Sequence, residues 1–130
     1  MNPGVALVFW SLVLFEAKHY VCDFVLQTAY QYRNKGIYGH PGGFVHAGLH
    51  SVGSLPAILT MTQTAWLVAA IVAAEFAVHY HVDWLKEQIN KRLALTVESR
   101  PYWIVFGADQ LTHQLSYVLI LAVLARAAGL

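Results

Sequence analysis

Charge is scarce in this chain and balanced where it occurs. Only 12% of its 130 residues are Asp, Glu, Lys or Arg, and eight basic against seven acidic side chains leave a formal net charge of +1. No basic field exists to hold a nucleic-acid backbone, so a nucleic-acid partner is excluded. Cysteine is reduced to Cys22, which excludes a disulfide scaffold and a thiolate metal cage. Apolar residues, in contrast, make up 58% of the chain, and the mean hydropathy is +0.50. That content exceeds the roughly 45–50% usual for a soluble domain and is incompatible with a disordered tail. The length suits one domain, so the first question is the solvent around it.

The apolar residues gather in four runs. The first extends from Val5 to about Tyr30 with interruptions at Glu16, Lys18, His19 and Asp23; the others are Gly42 to Met61, Thr64 to about Leu85, and Pro101 to Leu130. Each approaches or exceeds the roughly 20 residues that carry a helix across a bilayer's hydrocarbon layer. The expected fold is all-α, an integral membrane four-helix bundle forming a single domain over 1–130, with helices at about 5–31, 42–61, 64–88 and 101–128. A soluble bundle with a large core is the alternative. The N-terminus lacks a basic n-region and a small-residue cleavage pattern, so the first run is read as a retained helix rather than a signal peptide. Arg33 and Lys35 follow the first run, and Lys86, Lys91, Arg92 and Arg100 flank the loop after the third, whereas the opposite side has only Arg126. The positive-inside rule then places both longer loops in the cytoplasm and both termini outside.

Ionisable residues inside spanning helices are costly, and here they recur at one spacing. The four runs carry His19 and Asp23, His46 and His50, His79 and Asp83, and Asp109 and His113, each pair four residues apart. That spacing stacks two side chains on one helix face, close enough for both to reach one metal ion. Counted from the cytoplasmic loops, the pairs lie roughly 6–20 Å in, at overlapping levels, with Asp nearer the cytoplasm and His a turn deeper in runs one, three and four. A carboxylate layer over an imidazole layer is expected. His19-Tyr20-Val21-Cys22-Asp23-Phe24 corresponds to His79-Tyr80-His81-Val82-Asp83-Trp84, and His46 and His50 correspond to Asp109 and His113, so the bundle reads as two repeated helical hairpins.

Five His and three Asp without a thiolate suit a divalent metal, zinc first, with iron or manganese as alternatives; eight ligands exceed the need of one ion, so two ions are the natural guess. Some of the eight can instead be groups that orient the true ligands. A proton relay or a structural hydrogen-bond network is the alternative to a metal. Lys35 and Lys86 lie near the cytoplasmic mouth and suit an anionic group such as phosphate, or serve only as positive-inside flanks. Lys18 sits near mid-membrane, with Glu75 at similar depth as its candidate partner and snorkelling as the competing account. Cys22, His81, Tyr20, Phe24, Tyr80 and Trp84 fall off the ligand faces or read as packing, and His40 is in a loop.

The series His19-x-x-x-Asp23-Phe24-x-x-Gln27, Lys35, His46-Ala47-x-x-His50, His79-Tyr80-x-x-Asp83-x-x-Lys86 and Asp109-Gln110-x-x-His113 resembles the pattern of the small bacterial and phage membrane proteins called domain of unknown function 3307. The resemblance covers almost the whole chain and implies a bacterial inner-membrane location. Its His and Asp pattern is more distantly similar to membrane-bound metal-dependent hydrolases, which implies a metal-activated water; that link is analogy and carries no substrate.

The first expectation is a membrane-embedded metal-dependent hydrolase acting on a lipid-linked ester or phosphoester, with membrane lipid as its partner. Gln27, Lys35, Lys86 and Gln110 would bind the anionic substrate, and Glu75 or an unligated Asp would take the proton as catalytic base. The second is a non-enzyme: a metal or proton pathway, or a subunit stapled by its metal and joined to a second copy or another membrane protein. Little polarity continues toward the outer face beyond Ser51, Ser54, Gln114 and Ser116, which favours a closed site over a channel. Bis-histidine haem ligation, the third, leaves the paired Asp residues without a role.

Overall fold

The computed structural model describes residues 2–130, Met1 lying outside the described residues, and these are helical with no strand among them. Helix α1 (Pro3–Tyr20) opens on Asn2, whose side chain accepts from the Gly4 N–H, with Pro3 in the first turn, where its missing N–H costs nothing. A five-residue π turn (Val21–Val25) continues it, closed by the Leu26 N–H bonding to the Val21 carbonyl at 2.9 Å. Short α2 (Ala29–Asn34) begins with a reciprocal cap between Thr28 and Gln31. The helix expected as continuous over about 5–31 is therefore three pieces, broken at Leu26 to Thr28.

Helix α3 (Pro41–Gly53) starts on a His40 cap and ends where Pro56 forbids a regular turn; Ser54 sits at the break and α4 (Leu55–Leu59) resumes beyond it. Helices α5 (Ala65–Arg92) and α6 (Arg100–Ala127) are each 28 residues long and unbroken. Around the structure α1 packs on α4 and α6, α3 on α5, and α5 on α6, so these helices close a ring.

Each long helix buries one narrow stripe spaced by four: Ser11, Phe15 and His19 in α1; Leu67, Ile71, Glu75, His79 and Asp83 in α5; Asp109, His113, Tyr117 and Leu121 in α6. Away from these stripes the helices expose large apolar side chains, with Trp66 72% and Leu119 67% exposed. Polar groups inside and large apolar groups outside invert the arrangement of a water-soluble protein. By length and composition, two of the described helical stretches are apolar enough to cross a membrane, Pro3–Val25 and Ala65–Arg92. The second apolar run is too broken at Ser54 to count as one long helix, and in α6 the mean hydropathy is lowered by Gln110, His113, Gln114 and Arg126 as well as by Arg100 and Asp109.

Along the ring the stripes divide in two. Phe15, Ala57, Ile58, Leu67, Ile71, Tyr117, Leu121 and Leu124 form an apolar core at one end. The histidines and aspartates occupy the other.

Candidate metal centre

The spacing of four brings the imidazoles together because successive members of each pair stack on one inward face. His50 and His79 stack at 3.7 Å between ring centroids and His79 and His113 at 4.2 Å, with His46 4.8 Å from His50 and His19 5.3 Å from His113. The π turn sets Asp23 against α3: its Oδ1 lies 3.2 Å from His46 Nε2 and 3.1 Å from His50 Nε2. Such widened turns are frequent at functional sites, and this one aims a carboxylate between two helices. Asp83 stands between the two flanks of the cluster. Its Oδ2 is 3.0 Å from His46 Nε2 and 3.5 Å from His79 Nε2, while its Oδ1 is 3.8 Å from His113 Nε2 and 3.3 Å from Lys35 Nζ.

Two groups could hold a metal ion: Asp23, His46, His50 and His79, and His79, Asp83 and His113, the candidate ligand atoms in each lying within 4.8 Å of one another. The chemistry of the donors fits, since imidazole and carboxylate are the ligands of zinc, iron and manganese. A second observation bears on the fit. Both ring nitrogens of His46 and of His79, Nδ1 of His50 and an oxygen each of Asp83 and Asp109 are buried without an aligned hydrogen bond. The His46 and His79 nitrogens therefore approach carboxylate oxygens closely without pointing at them. Ligand atoms around a tetrahedral ion with bonds of about 2.1 Å stand about 3.4 Å apart, which is the range of these separations. Left without any partner, so many buried polar atoms would be costly.

His19 and Asp109 fall outside both groups. His19 is occupied at both nitrogens, Nδ1 with the Tyr117 hydroxyl at 2.8 Å and Nε2 with Gln110 Oε1 at 3.0 Å, and Nε2 also lies 3.2 Å from Asp23 Oδ2. It orients Asp23. Asp109 lies 3.5 Å from His113 Nε2 and accepts from Gln110 Nε2 at 3.2 Å.

Gln27, Lys35, Lys86 and Gln110 line one cavity of about 200 Å³ together with Asp23, Phe24, Tyr32, Tyr102 and Phe106. Both lysines are buried, Lys86 lying 3.9 Å from Asp109 Oδ2 and 3.3 Å from Glu87, which stays outside the cavity wall. Glu75 is placed elsewhere. Its Oε1 takes Lys18 Nζ at 2.5 Å and the Ser54 hydroxyl at 2.8 Å, on the side of the imidazoles away from the cavity. Lys18 also donates to Tyr117 at 2.9 Å, so a chain of contacts runs from Glu75 through Lys18 and Tyr117 to His19.

Tyr117 is the residue that sequence reasoning missed. It lies four positions beyond His113, as Ser54 lies four beyond His50, and extending the same spacing one more turn would have found it.

An all-helical chain with buried His and Asp groups that could hold a metal ion is the class that fold and site define. Within it, the chain belongs to the family described as protein of unknown function (DUF3307), whose model matches residues 11–128. No curated protein and no solved structure matches the chain.

Proposed function

We propose that this is a multi-pass protein of the bacterial cytoplasmic membrane, an integral four-helix bundle that hydrolyses an anionic ester or phosphoester with the help of a divalent metal, zinc first. The carrying observation is that the orphaned imidazole nitrogens and Asp oxygens lie beneath a cavity lined by two ammonium groups and two carboxamides. The membrane reading rests on the inverted surface: α6 exposes Leu111, Leu115, Val118, Leu119 and Val123 although it is not among the most apolar helices. At 28 residues it is about 42 Å long, enough for a hydrocarbon layer of about 30 Å. Gln88 and Lys91 both donate to the Gly36 carbonyl, which joins the two basic loops at one end and supports the cytoplasmic assignment of the cavity, with both termini outside.

The ion would supply an acidified water and polarise the ester. The chain's own residues bind and orient. Lys35 and Lys86 meet the anionic oxygens, Gln27 and Gln110 fix their direction, and Asp109, outside both ligand groups and next to Gln110, takes the proton in place of Glu75, which Lys18 neutralises. Three site carboxylates face two ammonium groups, so one divalent ion turns a surplus of one negative charge into one positive charge. Anion binding should therefore depend on the metal.

A structural staple is the second reading, favoured by the fact that the two ligand groups draw on the π turn, α3, α5 and α6. Elemental analysis of the detergent-purified protein, combined with hydrolysis of p-nitrophenyl phosphate, separates the two. Stoichiometric metal with turnover supports the hydrolase; stoichiometric metal with no turnover on a panel of soluble and lipid phosphates supports the staple; absence of metal from wild type after reconstitution with zinc, iron and manganese sinks both.

A further inference from the structure

The polar cavity has an apolar neighbour. Val82, Leu85, Ile89, Val105, Ala108 and Thr112 line a second cavity of about 160 Å³ between α5 and α6, completed by Lys86 and Asp109. Lys86 lines both cavities, and Asp109 in the second is adjacent in sequence to Gln110 in the first. The second cavity lies at the outer surface of the ring, where Leu85 is 53% exposed and Ala108 is also exposed. Thr112 spends its hydroxyl on the Ala108 carbonyl at 2.7 Å, so the groove offers a ligand no free hydroxyl from this residue. An apolar groove that opens sideways between two helices and meets a buried ammonium shared with a cavity lined by two lysines and two carboxamides has the shape of an amphiphile, anionic at one end and hydrocarbon at the other.

We infer that the substrate is a membrane lipid whose anionic head enters the cavity of Lys35, Lys86, Gln27 and Gln110 while the start of its hydrocarbon chain lies in the groove between α5 and α6. This rests on the hydrolase reading above and adds the class of substrate and the route of its chain. A larger apolar groove exists between α1 and the α3–α4 pair, lined by Leu14, Val21, Cys22, Leu49, Val52 and Pro56 among others. It includes Lys18, a single ammonium that contacts Glu75 and Tyr117. Lys86 has carboxylates beside it too, Glu87 at 3.3 Å and Asp109 at 3.9 Å, but it shares its cavity with a second ammonium, Lys35, and with the carboxamides of Gln27 and Gln110, and this difference selects the α5–α6 groove.

The test uses the full chain, zinc-loaded in nanodiscs, and a dodecyl phosphate carrying a diazirine on its alkyl chain. After illumination, the labelled peptides are mapped by mass spectrometry. Labelling is expected on residues 82–89 and 105–112, competed by unlabelled dodecyl phosphate but not by butanol. Ala108→Trp, a substitution at an exposed position that fills the groove, should lower it about tenfold. Val52→Trp, which fills the other groove, should leave it unchanged. Labelling concentrated on Leu14 to Val52, spread evenly over the outer surface, or indifferent to Ala108→Trp overturns the inference. Turnover of p-nitrophenyl phosphate by both variants is the separate gauge of the hydrolase reading. If it persists while the groove is unlabelled, only the chain route fails; if wild type has neither metal nor turnover, the hydrolase reading fails whatever is labelled.

Discussion

At one end of the ring Phe15 stacks on Tyr117 at 5.1 Å, with Ile58, Leu67, Ile71 and Leu124 around them. A turn further along the same stripes, His19, His79 and His113 crowd with Asp23, Asp83 and Asp109. Both regions are built on the same helices, yet one is held by close packing and the other by groups that repel or stay unsatisfied unless something joins them. On the membrane reading proposed above, packing would gain little from excluding water, and its contribution would be dispersion and fit. The polar end has the larger stakes in both directions: fully partnered it is rigid, and partly partnered it is costly.

The largest break in this comparison comes from His79, the residue common to both candidate groups. His79→Ala should lower metal affinity by at least about 100-fold, since even residues that merely support a ligand are worth about 10–100-fold. The variant should keep its helical circular dichroism because the apolar end is untouched. Full metal retention, measured by plasma mass spectrometry, would mean that the cluster is not where the ion binds.

Next is the Lys18–Glu75 pair, whose side chains are 8% and 2% exposed. Removing either partner leaves a buried charge, so Lys18→Met and Glu75→Leu should each cost about 3–5 kcal/mol, while the double variant returns most of it. Titration with a denaturing detergent reads all three. A double variant that costs the sum of the two singles would show that the two charges are not coupled.

Phe15→Ala attacks the other end. A Phe-to-Ala change costs about 3–5 kcal/mol in a water-soluble core. On the membrane reading proposed above, lipid would remove the solvophobic share, and about 2 kcal/mol is expected. Metal stoichiometry should not change. Loss of metal from Phe15→Ala would show that the two ends are one cooperative unit rather than two.

Much of this division was legible in the residues. The four pairs spaced by four announced which helix faces turn inward, and the depth of Lys18 pointed to Glu75. The π turn was not legible, because its geometry is selected by what Asp23 meets on α3 rather than by any local preference of Val21 to Val25. The break at Ser54 had its signal in Pro56, masked by the apolar run around it. The two roles outside the ligand groups were hidden for another reason. Spacing places His19 and Asp109 on the inward face, but only the contacts with Tyr117 and Gln110 show that both nitrogens of His19 are taken.

Tyr117 gives the smallest expected effect and the finest test, because it belongs to both ends. Its ring stacks on Phe15 in the apolar core, and its hydroxyl bonds to His19 and Lys18 at the edge of the polar cluster. Tyr117→Phe preserves the first set of contacts and deletes the second. Packing should then be nearly unchanged, while His19 loses the partner that fixes its ring and thereby the direction of Asp23. Losing the hydroxyl's hydrogen bonds should cost about 1 kcal/mol, and metal affinity should fall by about tenfold. The informative reading is the ratio between the two. A stability loss with unchanged metal affinity assigns the hydroxyl to the Lys18–Glu75 pair alone, whereas a loss of affinity that His19→Ala does not deepen assigns it to the orientation of Asp23 through His19.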